Sequence, residues 1–335
     1  MSSPKIIVIL GATGNQGGSV ANAFLEDASW QVRALSRNIS SPKAQALAAR
    51  GAQVVQADLD KPETFSAAFE GASAIFAVSD FWGIYGNPAN ADKAKPGQSL
   101  NAWAGEYETQ QLKAVIDAVA KVPTLERFIL SSLTNVTKWS KGKYTRVYHF
   151  DSKAKAADYG REKYPDLWKK TSIFQPGMFL SNYVGNPIMK PVKNAEGTVQ
   201  FLWNVRANVR IPFIAADEDT GPVVRELVVN EPAGKNIIAY REYLTVQELA
   251  SAFTRATGLK AEAVTLPKGE FPVPLPDELK GELEDNFAAF NEFGYESWDD
   301  TDVIHPRDIQ LKSPPSLSTV EDFFRKQDLS TIFGA

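Results

Sequence analysis

The segment Ile6-Ile7-Val8-Ile9-Leu10-Gly11-Ala12-Thr13-Gly14-Asn15-Gln16-Gly17-Gly18-Ser19-Val20 sets the strongest limit on what this chain can fold into. An unbroken apolar run ending on glycine suits a parallel strand covered on both faces, and the residues after the turn suit a helix. Gly11 allows a sharp turn off the strand, Gly14 lets backbone approach a pyrophosphate, and Gly17 lets the helix pack tightly on the sheet. Free N–H groups at the helix start then face the phosphates. A glycine triplet by itself marks any tight strand-to-helix turn; its strand-turn-helix context at the N-terminus points to a nucleotide.

The rest of the first half repeats the pattern. Strands are expected over 31–35, 53–57, 74–78, 127–132 and 171–175, the last closed by Pro176-Gly177, with helices opened by Ser41-Pro42 and Pro62 and running over about 106–121 and 149–162. Strands alternating with helices specify right-handed βαβ units. The fold class is therefore α/β, a doubly wound parallel sheet with its ligand crevice at the carboxyl ends of the strands. Between Ser79 and about Gly105 the pattern lapses into Gly, Pro and Asn with Trp82 and Trp103, and a loop leaving strand 4 there is expected to lie over the crevice as a lid. A mobile surface excursion is the other reading of it. Beyond Pro176 regular segments shorten and aromatics accumulate. A Rossmann domain is expected over 1–176, with a helix from Asp219, a strand over 236–240 and a helix from Thr245 to Thr257 returning to it from around 217–258. A smaller interleaved domain fills 177–335.

Composition removes several function classes. No Cys is present, which excludes disulfides, thiolate nucleophiles and cysteine zinc sites, and His149 and His305 alone do not build a multi-histidine metal centre. The acidic clusters Asp217-Glu218-Asp219, Glu282-Glu284-Asp285 and Asp299-Asp300-Asp302 read as helix caps or solvated faces. A net charge of −4 argues against nucleic acid as a partner, and Lys138, Lys141, Lys143 and Arg146 read as a solvated loop face. The first residues lead straight into strand 1 and no apolar run is long enough to span a bilayer. No membrane association is expected, and the expected location is the cytoplasm, with the nucleus as an alternative.

Cofactor choice is read after strand 2. An NAD site of this design places Asp or Glu roughly 20 residues past the glycine motif to accept from the ribose 2′-hydroxyl. Here Arg37 stands 37 − 17 = 20 positions after Gly17. A guanidinium there binds a 2′-phosphate through paired charge-assisted bonds, so NADP(H) is the expected cofactor; an Arg merely solvated at a strand end is the alternative.

Together, Gly11-Ala12-Thr13-Gly14-Asn15-Gln16-Gly17, Val32-Arg33-Ala34-Leu35-Ser36-Arg37, Ala57-Asp58-Leu59-Asp60, His149-Phe150-Asp151-Ser152-Lys153 and Gln175-Pro176-Gly177-Met178-Phe179-Leu180-Ser181-Asn182 resemble the NmrA-like family of atypical short-chain dehydrogenases. The resemblance is strong to about Asn182 and fainter beyond. It implies that Thr13, Gly14, Asn15, Gln16 and Gly17 bind the pyrophosphate, Arg37 the 2′-phosphate, Asp58 and Leu59 the adenine, and Lys153 the nicotinamide ribose, with Pro176 to Phe179 bordering the nicotinamide. The family holds both NADPH-dependent reductases and NADP-binding sensors that engage transcription factors.

One departure bears on catalysis. Ordinary short-chain dehydrogenases carry Tyr-x-x-x-Lys, where residues four apart share a helix face and the ammonium favours the phenolate. This chain has His149-x-x-x-Lys153. Imidazole, with an ordinary pKa of about 6.5, exchanges protons near neutrality, although an adjacent Lys153 ammonium disfavours its charged form. His149 is either a general acid beside the nicotinamide or a packing residue. Ser131 and Ser132, at the end of strand 5, stand where dehydrogenases keep a substrate-polarising serine, or merely terminate the strand. Tyr144 and Tyr148 are further phenol candidates. No Gly-x-Ser-x-Gly elbow supports a hydrolase. The expected function is an NADP(H)-dependent oxidoreductase with Lys153, His149 and Ser131 as candidate catalytic residues, acting on a small organic molecule held in an aromatic-rich pocket. The alternative is an NADP-responsive sensor that binds a protein partner.

Overall fold

A computed structural model describes residues 3–296, 303–304 and 311–334. Asp299, Asp300, Asp302 and His305 lie outside the described residues. The central layer is a parallel sheet of β1 (Lys5–Ile9), β2 (Trp30–Ser36), β3 (Gln53–Gln56), β4 (Ala74–Ala77), β5 (Arg127–Ser131) and β6 (Thr171–Pro176), to which later strands are added. Its interior strands are unbroken apolar runs because helices cover both faces: Ile7, Val8, Ile9, Ile75, Phe76, Phe128 and Ile129 have no exposed surface. After β7 (Met178–Phe179), β8 (Val192–Lys193), β9 (Val199–Trp203) and β10 (Ile211–Ile214), the chain returns with β11 (Asn236–Ala239). β12 (Glu242–Leu244), β13 (Ala261–Thr265) and β14 (Val303–Ile304) complete the set.

The large sheet has the order β14-β11-β6-β5-β4-β1-β2-β3. Every pairing in it is parallel. With β2 on one side of β1 and β4 on the other, the winding reverses at β1, and a crevice opens at the carboxyl ends of β1 and β4. The Leu259–Ala335 stretch was expected wholly in the smaller domain, yet β14 extends the large sheet by pairing with β11. A two-residue strand leaves too little periodicity to be read from sequence.

The C-terminal part is built on the sheets β12-β10-β7 and β13-β9-β8. The helix Val246–Thr257 was expected on the large sheet. It packs instead in the aromatic core of this smaller part, where Leu249 and Phe253 join Phe201, Tyr183 and Phe324. Its capping box, Thr245 with Glu248, marks a helix start and says nothing about which sheet the helix covers.

The helix Ala216–Val229 does sit on the large sheet's layer, against the helix Asn15–Leu25. Gly221 is the point of contact. A Cβ there would lie 2.1 Å from the Ser19 carbonyl oxygen, and the Gly221 N–H donates to Ser19 Oγ at 2.8 Å. Gly221→Ala is therefore expected to push the two helices apart and cost about 1–3 kcal/mol, measured by denaturant unfolding.

Candidate functional site

The glycine turn is built as backbone sterics demand. Gly11 has φ +64°, in the left-handed region, and a Cβ on it would meet Val78 Cγ1 at 2.9 Å. A Cβ on Gly17 would lie 2.3 Å from the Gly11 carbonyl oxygen, so the helix can approach the turn only without a side chain. The helix Asn15–Leu25 begins at Gly14 with no side-chain cap, which leaves its first-turn N–H groups facing the crevice.

A cleft of about 580 Å³ lies there. It brings together Gly11, Thr13, Gly14, Asn15, Gln16, Gly17, Arg37, Asp58, Leu59 and Phe179 from the ends of β1, β2 and β3 and from β7. Arg37 is exposed and pairs with no carboxylate among the described residues, so its guanidinium is available to an anion. Arg37→Ala is expected to weaken NADPH binding by about 1.5–3 kcal/mol, roughly 10- to 150-fold, while sparing NADH. A fluorescence titration in which both cofactors lose equally would count against Arg37 as a 2′-phosphate ligand.

Ser131 reaches this cleft indirectly, its Oγ donating to Gln16 Oε1 at 2.8 Å. Ser132 is buried, with its Oγ directed at the Leu133 carbonyl oxygen at 3.5 Å. Lys153, His149 and Pro176 do not line the cleft. Pro176 ends β6 and its carbonyl accepts from the Tyr295 hydroxyl at 3.0 Å.

The helix Tyr148–Lys163 puts His149 and Lys153 on one face. Lys153 Nζ donates to Glu108 Oε1 at 2.8 Å, to Glu108 Oε2 at 2.9 Å and to the His149 carbonyl at 3.0 Å. Glu108 is fully buried and also accepts from Ser152 Oγ. His149 Nδ1 lies 2.6 Å from Glu282 Oε1, and the His149 backbone N–H donates to the same oxygen at 3.1 Å. Glu282 Oε2 takes a bond from Asn101 Nδ2 at 2.9 Å. The imidazole is flanked by Trp82 and Phe150, each 4.9 Å between ring centres, and by Phe81 at 5.9 Å. Lys153 was expected to be the charge governing His149. The structure neutralises Lys153 with Glu108 and sets the Glu282 carboxylate against the ring.

Neither tyrosine lines the cleft. Tyr144 donates to Glu292 Oε2 at 2.7 Å, and burial together with that carboxylate holds its phenol above the usual range. Tyr148 borders a separate open cavity of about 890 Å³ with Trp103, Ser152 and Lys155, and burial pushes its phenol up as well.

The segment expected as a lid is largely folded. It holds the helix Phe81–Tyr85, capped by Asp80, and the turn Pro88–Asn90, and its last residues already belong to the helix Leu100–Val119. Ser79, Asp80, Gly83, Ile84, Asn87 and Asn90 border the cleft, so the segment does face it. The basic loop is partly paired, Arg146 with Asp285 and Lys143 with Glu292. Among the described residues no group of three His, Asp or Glu could hold a metal, and no helix is long and apolar enough to cross a membrane.

Sequence reasoning missed Glu108, Asn101, Tyr107 and Gln111 and gave Asp60 no role of its own; it read Glu282 and Asp285 as a helix cap or solvated face, whereas both are buried, Glu282 against His149 and Asp285 against Arg146. A signal existed for Glu108, which stands on the apolar face of its helix in line with Ala104, Leu112, Val115 and Val119. For Glu282 there was none, because its partner is 133 positions away.

Comparison with known proteins agrees with this architecture. A profile of the NmrA-like family matches residues 3–324. The NmrA-like family domain-containing oxidoreductase hkm9 of Aspergillus hancockii is 30% identical over 305 residues, covering 86% of this chain and 82% of its own. The crystal structure of NmrA, a negative transcriptional regulator, in complex with NADP superposes with a TM-score of 0.75 at 21% identity, covering 97% of this chain and 95% of that one. The leucoanthocyanidin reductase–NADPH complex from Vitis vinifera gives 0.64 at 18% identity, covering 95% and 98%. At such identities the solved structures speak for the fold, and the family profile speaks for descent: this chain belongs to the NmrA-like family.

Proposed function

We propose that this protein is an NADP(H)-dependent oxidoreductase acting on a small organic substrate bound beside the nicotinamide. The observation that carries the reading is the cleft at the winding reversal, with an uncapped helix start at one end and, lining it as well, the Arg37 guanidinium, which pairs with no carboxylate among the described residues. Glycines whose Cβ atoms would strike backbone or Val78 shape the turn that a pyrophosphate needs to approach. In this reading Asn15, Gln16 and Gly17 offer N–H groups to the pyrophosphate, Arg37 binds the 2′-phosphate, Asp58 and Leu59 hold the adenine, and Phe179 borders the nicotinamide. NADPH, when bound, supplies a hydride. His149, held at Nδ1 by Glu282 and standing outside the cleft lining, would have to approach the nicotinamide to exchange a proton through Nε2. Lys153 must give up a bond to Glu108 or to the His149 carbonyl before it can reach a ribose hydroxyl. The relative hkm9 bears an oxidoreductase name, which supports the same reading.

A sensor reading draws on a specific observation too. All three Lys153 donors and the Ser131 hydroxyl are engaged by the protein itself, so two of the three candidate catalytic groups serve structure. The neighbour NmrA is described as a negative transcriptional regulator in complex with NADP. The test is NADPH consumption with a panel of carbonyls, quinones and imines. Turnover of any class supports the oxidoreductase; tight NADPH binding without turnover, with capture of a protein partner, supports the sensor.

A further inference from the structure

Apart from the cofactor cleft, the helices Leu100–Val119 and Tyr148–Lys163 and the loop before the first of them enclose the open cavity of about 890 Å³. It shares only Tyr107 with the cleft, and its volume falls within the range of about 300–1,000 Å³ typical of small-molecule sites. Helical spacing gives it an aromatic wall. Trp103 and Tyr107, four residues apart, share one helix face and stack at 5.0 Å between ring centres with planes 17° apart, both half-buried. Tyr148 joins them from the second helix, which comes close because residue 105 is glycine: a Cβ on Gly105 would lie 3.1 Å from Tyr148 Cβ.

The polar groups of this cavity fall into two sets. One is spent inside the protein: the Tyr107 hydroxyl donates to Asp60 at 2.9 Å, Thr109 Oγ1 to the Gly105 carbonyl at 2.8 Å, and Ser152 Oγ to Glu108. The other has no hydrogen bond or ion pair among the described residues: the exposed Lys95 and Lys155 ammoniums, the Trp103 indole N–H, the Tyr148 hydroxyl, the Gln110 amide and the Glu106 carboxylate. Asp151 acts on Lys155 only through space, its oxygens being taken by the Thr137 N–H and hydroxyl. Burial holds the Tyr148 phenol above its usual range, so its hydroxyl stays protonated and able to donate. Two cations face one anion, and neutral donors stand beside a stacked aromatic wall, which together complement a ring that bears a charged acceptor.

We infer that this cavity is a second ligand site and that it takes a planar aromatic anion, the ring lying on the Trp103 wall and the acidic group meeting the two ammoniums. The inference stands apart from the cofactor reading. Each part of the ligand has its own recognition: the aromatic wall supplies contact area to any flat ring, and the lysines favour the ring that carries a negative charge. Glu106 opposes that charge, so neutralising Glu106 reports the sign of what binds.

The experiment titrates the full-length protein with two fluorescent probes of one skeleton, 8-anilinonaphthalene-1-sulfonate and the uncharged N-phenyl-1-naphthylamine. Saturable binding of the sulfonate is expected. Lys155→Ala is expected to weaken it about three- to fivefold and Glu106→Gln to tighten it by a similar factor, while neither changes the uncharged amine. Trp103→Leu is expected to weaken both probes about three- to tenfold. The two charge variants lie on the surface, so they keep the test decisive if Trp103→Leu fails to fold by circular dichroism. Sulfonate affinity unchanged in both charge variants would overturn the inference, as would the absence of saturable binding. A loss confined to Arg37→Ala would seat the probe in the cofactor cleft and overturn it too.

Discussion

Glu108→Leu is expected to lower stability by about 3–5 kcal/mol, because it strands an ammonium that folding has already taken out of water. The Lys153 side chain is 11% exposed and that of Glu108 is fully buried, so solvent cannot replace the lost carboxylate. Ser152 Oγ loses its acceptor in the same stroke. The unfolding midpoint is expected to drop on the order of 5–10 °C in a thermal melt. Adding Lys153→Met to Glu108→Leu removes the stranded charge and is expected to recover most of the loss, since an apolar pair of similar volume often matches a buried ion pair. A single-variant loss under about 1 kcal/mol would put the pair in the surface class and disprove its burial. Lys153→Ala leaves Glu108 buried with the Ser152 hydroxyl but without its cation, so activity in that variant is interpretable only beside its melting curve.

A second large effect is expected far from the cleft, at Arg241→Leu. Arg241 has no exposed surface, and it donates to Asp219 Oδ2 from Nε at 2.6 Å, to Asp219 Oδ1 from Nη2 at 3.0 Å and to Glu218 Oε2 from Nη2 at 2.6 Å. Glu218 retains Lys326 and is partly exposed, so the cost concentrates on Asp219, whose side chain is 3% exposed. Loss of the pair is again expected to cost about 3–5 kcal/mol at neutral pH. Here the pH dependence carries a sign. Burial already holds the Asp219 carboxyl above the usual carboxylate range despite Arg241, and removing Arg241 raises it further. The folded variant then keeps a proton that the unfolded chain releases, so its stability falls as pH rises above the ordinary Asp value of about 3.9. The deficit against wild type is expected to be smallest near about pH 4 and to widen toward neutrality, as denaturant curves at several pH values would register. A deficit independent of pH would mean that Asp219 does not carry it.

Asp219 shows how far a sequence reading reaches. In the Asp217-Glu218-Asp219 cluster a cap was legible, and Asp219 Oδ2 does accept the Ala215 N–H at 2.9 Å. Its partner Arg241, 22 positions on, was not. Likewise the glycine turn, the first six strands and the place of Arg37 on the cleft were legible, since each is a local pattern of apolar runs, turn residues or fixed offsets. The helix Val246–Thr257 was legible as a helix and misassigned to a sheet, because an apolar face specifies that something covers it and not what.

Local sterics and short offsets were enough to read a parallel, doubly wound sheet with a glycine turn at its first strand from the residues alone, and to put Arg37 just past the second strand, where it borders the cleft. What faces His149 and Lys153 emerged from the folded chain. Glu282 and Glu108 arrive from other helices, at 2.6 Å from His149 Nδ1 and 2.8 Å from Lys153 Nζ, and such contacts act through distances in space that no spacing along the chain records.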